Sequence, residues 1–304
     1  SGAELDVVHV DAETYRATLR KPLQPGEKLS LNVETVYVNT VQPRPLSVRQ
    51  DGDQRWEWTG SPLVRSVYAT RKQKTTVVPP SASRGSKPTT FGPFGPFKAG
   101  YAANSTVERV SFVSNAEQLE ALSHRREYFV SHWANDLNVL EHYQLRNRAP
   151  GSEGAFDKVG QVVAKFMKMR DNFVKTLLVK VPADARDMYV VDEIGNVSTS
   201  AVSGRRRHSA AGDPFRIMQI QPRYPLLGQW NYTWWHGYSV PLTGYLKTDG
   251  ARHVLRVPFI GRIAGVASSE AELSVAMAER SNTAVDAYEL RIVLPEGASA
   301  IDVR

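Results

Sequence analysis

The chain has no cysteine among its 304 residues. That excludes a disulfide, a thiolate nucleophile and a cysteine-held zinc. It also lacks any apolar run approaching the roughly 20 residues that cross a bilayer as a helix, so it reads as soluble or as the soluble part of something larger. The opening "SGAELDVV" has neither a basic n-region nor an apolar h-region, so no signal peptide is expected to remain. Both ends read as cut, because strand-like sequence begins almost at once and the chain stops just after "LPEGASAIDV". There is no G-x-G-x-x-G, Walker loop, G-x-S-x-G or H-E-x-x-H. No catalytic residue, metal ligand or cofactor is therefore expected.

The residues that are present have a globular balance, 41% hydrophobic and 23% charged, over a length that suits two cores. The net charge of +7 and pI near 9.5 would suit an anionic partner. Yet the basic residues are scattered, with their densest runs at "TRKQK" and "GRRRH", and solvated faces are the commoner reading of such runs.

Along the chain, "PGEKLSLNVETVYV" alternates as a half-buried strand with Leu29, Leu31 and Val33 on one face. "DGDQRWEWTG" and "RSVYATRKQKTTVVPP" each predict a further strand. From Ser81 to Ala103 the composition turns to Gly, Pro and Ser, which predicts an extended connection and a boundary between domains 1–103 and 104–304. Ala116 to Leu122 favours a short helical or irregular lead-in before a strand at Tyr128. The clearest helix lies in "EGAFDKVGQVVAKFMKMRDNF", where Phe156, Val159, Val163, Phe166 and Phe173 recur at helical spacing. "SSEAELSVAMAERSN" predicts another. "LLVKVPADARDMYV" and "ELRIVLPEGASAIDV" share one design, apolar strand, proline, acid, alanine and apolar strand, and each suits a chain changing partner at a sheet edge. Many short strands and few helices predict a mainly β protein of two β-sandwich-like domains with a few short helices.

Several clusters invite a chemical reading. His124, His132 and His142 lie close in sequence, but their spacing matches no metal-ligand pattern. Asp192 and Glu193 are neighbours, and neighbours on a strand point to opposite faces, so they are not expected to share a reacting centre. Trp56 with Trp58, and Trp230, Trp234 and Trp235, would stack on sugar or peptide if exposed; core residues are the commoner reading. Three Asn-X-Ser/Thr triplets mark Asn104, Asn196 and Asn231 as candidate glycan acceptors.

"DEIGNVSTS", "QPRYPLLGQW", "GYSVP", "RIVLPEGA", "VSHWAN", "VETVYV" and "FGPF" together resemble the ribophorin I family, in that family's order and over most of the chain. The resemblance implies the luminal region of a non-catalytic subunit of the endoplasmic-reticulum oligosaccharyltransferase, the complex that glycosylates nascent chains at Asn-X-Ser/Thr. It implies two β-rich luminal domains, the first incomplete here, then one membrane-spanning helix and a cytosolic segment absent from this chain. It also implies other subunits, the catalytic one among them, as partners, a role in stabilising the complex and presenting nascent polypeptide, and glycosylation at Asn196. Residues 203–214 and 267–286 look like insertions relative to the family, and 85–90 looks abbreviated. The alternatives are a free-standing carbohydrate- or peptide-binding β-sandwich module, an unrecognised hydrolase, and a nucleic-acid binder built on Arg205, Arg206 and Arg207 with Lys72 and Lys74.

Overall fold

A computed structural model describes residues 5–11, 14–19, 21–35, 40–50, 52–79, 87–101, 107–114, 118–166, 173–204, 207–208, 214–250, 252–261, 263–265 and 283–303. Contacts divide the chain into two units, Ser1–Val38 and Asn39–Arg304. In the first unit, β1 (Val7–Asp11) and β2 (Thr14–Ala17) form an antiparallel hairpin. The strand expected from Leu29 onward does not form over the described residues up to 35, and Leu29, Leu31 and Val33 are exposed. Alternation makes one face apolar, but a strand also needs a neighbour for its backbone groups, and none pairs with this stretch among the described residues.

The second unit begins with β3 (Val41–Pro43), β4 (Arg55–Gly60), β5 (Gln73–Val77), β6 (Thr89–Phe94) and β7 (Glu108–Val113). β5 and β6 make a hairpin, so part of the expected extended connection is a strand. β3, β4 and β7 make an antiparallel sheet in which Trp56 faces Phe112. The expected boundary at 103/104 thus lies within this unit, between two strands of one sheet.

The central sheet is built on β8 (Leu119–Ser131) and β9 (Asp136–Asn147), two long strands joined by a short turn. The helical lead-in expected at 119–122 is strand, because β8 pairs with β9 from Leu119 onward and tertiary pairing overrides local propensity. β10 (Leu177–Pro182) and β11 (Arg186–Asp192) follow helix α1 (Lys158–Phe166). Next come β12 (Pro214–Ile220), β13 (Asn231–Pro241), β14 (Ile263–Gly265) and β15 (Tyr288–Val293). The sheet order is β11-β13-β9-β8, and β15 lies parallel to β8 beyond it. β12, β10 and β14 form the heart of a second sheet. The chain passes from one sheet to the other at the Pro182 to Ala185 turn, as the "VPADAR" pattern predicts: Pro182 ends β10, and Ala185 N–H donates to Pro182 O at 3.2 Å. After β15 the matching pattern leads to no second strand among the described residues.

The core sits between these sheets. Leu137, Leu145, Tyr232, Trp234 and Val240 of the central sheet pack in one buried cluster with Leu177, Val179, Val181, Met218 and Ile220 of the second. This is sandwich packing, with alternate residues of each strand turned inward, and the fold is mainly β as expected.

Candidate functional site: a buried charged grid and an exposed acceptor turn

Strand alternation and register place nine side chains on the core face of the central sheet in three rows. Across β8, β9 and β13 these are His124, Tyr143 and Trp234; Arg126, Glu141 and His236; and Tyr128, Val139 and Tyr238. Glu141 stands at the middle, 1% exposed. Its Oε2 lies 3.0 Å from His124 Nε2 and accepts from the Tyr143 hydroxyl at 2.7 Å. Its Oε1 lies 3.6 Å from Arg126 Nη2 and 3.8 Å from His236 Nε2. Arg126 in turn donates to the Tyr238 hydroxyl at 3.1 Å. Burial pushes the Glu141 carboxyl up. The Arg126 charge, the His124 and Tyr143 hydrogen bonds and the nearby His236 outweigh that and hold it well below the usual carboxylate range. Burial pushes His236 down to about 4 against the pull of Glu141, so its ring is neutral in the fold at pH 7.

A segment between β13 and β15 closes this grid. The Tyr128 hydroxyl donates to Pro258 O at 2.8 Å, and the Tyr288 hydroxyl donates to Phe259 O. Gly261 lies where a Cβ would run into the Glu141 carboxylate and the Tyr143 hydroxyl. Arg126 Nε, Trp234 Nε1 and both His236 nitrogens have no hydrogen-bond partner among the described residues. Among the described residues this charged group is enclosed, and its partners come from three strands of one sheet, an arrangement that suits a structural role. Sequence reading missed it. The available signal was Glu141 at an inward position of "LNVLEHYQL", between Val139 and Tyr143.

The second feature is the turn after β11. Asp192 is buried, and its Oδ1 accepts from the Ile194 and Gly195 N–H groups, each at 3.0 Å. Its Oδ2 accepts from Arg223 Nε at 2.6 Å and from the Tyr232 hydroxyl at 3.2 Å. Arg223 also donates to Gly195 O at 3.1 Å and Asn196 O at 2.9 Å. Gly195 has φ of 142°, in the region that favours glycine. The turn is fixed by its backbone, while the side of Asn196 and Ser198 stays exposed. A shallow cavity of about 220 Å³ lies beside it, lined by Met188, Tyr189, Asn196, Ser200 and Met218 among others. Glu193 is exposed while Asp192 is buried, so the acid pair shares no centre.

Asn231 is exposed at the start of β13, where Tyr224 donates to its carbonyl at 2.8 Å. Asn104 lies outside the described residues. The three histidines are not brought together. His124 is inside the core, His142 stacks on Trp235 on the opposite face, and His132 stands in the β8–β9 turn region beside Trp133. Trp56 and Trp234 are buried, Trp56 Nε1 donates to Ser114 O at 2.8 Å, and the half-buried Trp58 ring covers Gly60. Of the tryptophans that would have made a sugar- or peptide-stacking surface, Trp56 and Trp234 are core, Trp58 and Trp235 are half-buried and Trp230 is exposed. Trp133, which sequence reading did not single out, is almost fully exposed. Lys72 and Lys74 are exposed, whereas Arg205 and Arg206 lie outside the described residues.

Comparison with known proteins adds what the geometry leaves open. Subunit 1B of dolichyl-diphosphooligosaccharide–protein glycosyltransferase from Arabidopsis thaliana is 30% identical over 257 residues, covering 80% of this chain and 53% of the relative. Subunit 1 of the same enzyme from Caenorhabditis elegans is 28% identical over 262 residues, covering 83% and 43%. Subunit 1A from Arabidopsis thaliana is 28% identical over 298 residues, covering 95% and 44%. The chain thus spans about half the length of the curated relatives it matches. The sequence model described as Ribophorin I matches residues 3–304. By that match the chain belongs to the ribophorin I family.

Proposed function

We propose that this chain is the luminal region of a non-catalytic subunit of the oligosaccharyltransferase, which stabilises the complex and assists presentation of nascent polypeptide for glycosylation at Asn-X-Ser/Thr. The observation that carries this reading is the family match over residues 3–304, joined to relatives named as subunit 1 of that glycosyltransferase. The interior of the sandwich agrees with a scaffold. Among the described residues, the cluster of titratable groups around Glu141 is sealed between sheets, and its carboxylate has four polar neighbours.

In this reading the protein sits in the endoplasmic reticulum lumen, held to the membrane by a helix outside this chain, and its partners are the other subunits, the catalytic one included. Asn196 is a glycan acceptor on an exposed, rigid turn, with Asn231 and Asn104 as further candidates. Residues 1–103 and 104–304 are the proposed luminal domains. Depleting the full-length protein from cells should lower occupancy of Asn-X-Ser/Thr sites on secreted reporters, while the purified subunit alone transfers no glycan. Unchanged occupancy after full depletion would refute the assignment.

A further inference from the structure

Basic residues run the length of the chain, but their excess does not. Lys and Arg outnumber Asp and Glu by 38 to 31, and seven basic residues with no acid lie between Glu57 and Glu108. The rest of the chain balances at 31 against 31, so the whole net charge of +7 belongs to the stretch that holds the loop after β4 and the β5–β6 hairpin. Arg71, Lys72, Lys74, Lys87 and Lys98 are exposed, and none of the five has an ion-pair partner among the described residues. Keeping the free edges of a two-stranded sheet from pairing needs a lysine or two. It does not need every acid to be missing from 58 to 107, and a field of one sign suits a partner of the other.

The loop is tied to the hairpin near both of its ends. Pro62 O accepts from the Thr75 hydroxyl at 2.5 Å and from Gln73 Nε2 at 3.3 Å, and Thr70 and Phe97 exchange backbone bonds at 3.0 and 2.8 Å. Between these ties Tyr68 N–H donates to Ser66 Oγ at 3.1 Å, and Tyr68 O accepts from the Thr70 hydroxyl at 3.4 Å. Val64, Val67 and Tyr68 nonetheless stay 70% to 77% exposed. Along β5 exposure alternates, with Lys72, Lys74 and Thr76 open and Gln73, Thr75 and Val77 partly covered, so two cations and a hydroxyl share the outer side. The Thr76 and Thr90 hydroxyls meet there at 3.1 Å. A tyrosine held in place beside valines and ringed by cations has the make-up of a protein interface. A seat in lipid would ask for apolar side chains where β5 presents amines and hydroxyls. Taking the chain as a subunit, as above, we propose that the loop and hairpin are a docking surface for an acidic face of another protein chain of the complex, with Tyr68 as anchor and the partner's carboxylates against Lys72 and Lys74.

Tagged full-length protein, purified gently from detergent-solubilised microsomes with its companion chains, tests this by carbodiimide treatment, which joins a lysine amine to a carboxylate only where the two touch. Mass spectrometry of the linked peptides should show Lys72, Lys74, Lys87 or Lys98 joined to Asp or Glu of a companion chain, well above the level for the exposed Lys28 and Lys247. In a form with Lys72→Glu and Lys74→Glu, links from the untouched Lys87 and Lys98 should fall at least about threefold, with a limited-proteolysis pattern like the parent's showing that the fold is kept. Tyr68→Ala, which changes no charge, should lower them too. Companion chains linked only through other lysines would overturn the surface and leave the subunit assignment standing, whereas no companion chain at all would overturn both. Binding of the parent, but not of the charge-reversed form, to phosphatidylserine vesicles without such links would give the surface to lipid and overturn the protein partner.

Discussion

Glu141 stays charged inside the sandwich because Arg126, His124, Tyr143 and His236 surround it, and Arg126 depends on it in return. Glu141→Ala leaves a guanidinium buried beside no carboxylate, and such a break costs roughly 3–5 kcal/mol. A thermal melt of the variant should show a large drop, with Glu141→Gln falling between variant and parent. The same grid sets an acid limit. The folded-state value of His236, about 4, lies below its ordinary 6.5, so as pH falls the unfolded chain takes up that proton first. Its contribution to stability is complete above about pH 6.5 and is lost progressively down to about 4. Glu141, also depressed, adds a loss below its ordinary value of 4.5. Denaturant titrations across this range should show stability falling toward acid, and His236→Phe should flatten the slope between 6.5 and 4. At the surface, Asn196→Gln in protein secreted through a glycosylating pathway should remove one endoglycosidase-sensitive step in gel mobility. An unchanged ladder would show that Asn196 is unoccupied.

Among the elements, those whose pattern includes their own termination were legible in the sequence. "DGDQRWEWTG" became β4, and "LLVKVPADARDMYV" became β10, a turn and β11. The turn that carries Asn196 was legible for the same reason, since Asp192, Gly195 and Asn196 are neighbours and their hydrogen bonds are local. What failed depended on partners distant in sequence. Leu29, Leu31 and Val33 alternate without a paired neighbour, Leu119 joins a strand because β9 is there to receive it, and α1 has the expected periodicity but presents it to solvent. The charged grid exists only through register across three strands, so no single segment announces it. Close backbone approach is hidden in the same way. Gly228 lies against the Pro150 carbonyl, where any Cβ would collide with main chain. Gly228→Ala should destabilise by roughly 1–3 kcal/mol through a forced backbone shift, read as a lowered denaturation midpoint at unchanged slope.

For the molecule as a whole, a sandwich with a sealed ionic interior, an exposed turn at Asn196 and a family match over residues 3–304 support the proposed role of a scaffold that works through association. The alternative of a free-standing sugar- or peptide-binding module loses Trp56 and Trp234 as stacking surface, because both are buried, and the family relatives are named as subunits of one enzyme. The most direct measurement is to tag the full-length protein, purify it gently from detergent-solubilised microsomes, assay glycan transfer to an Asn-X-Thr peptide and identify the chains that come with it. The account predicts transfer activity together with a separate, membrane-spanning catalytic chain. A lone protein with neither activity nor membrane partners would contradict it.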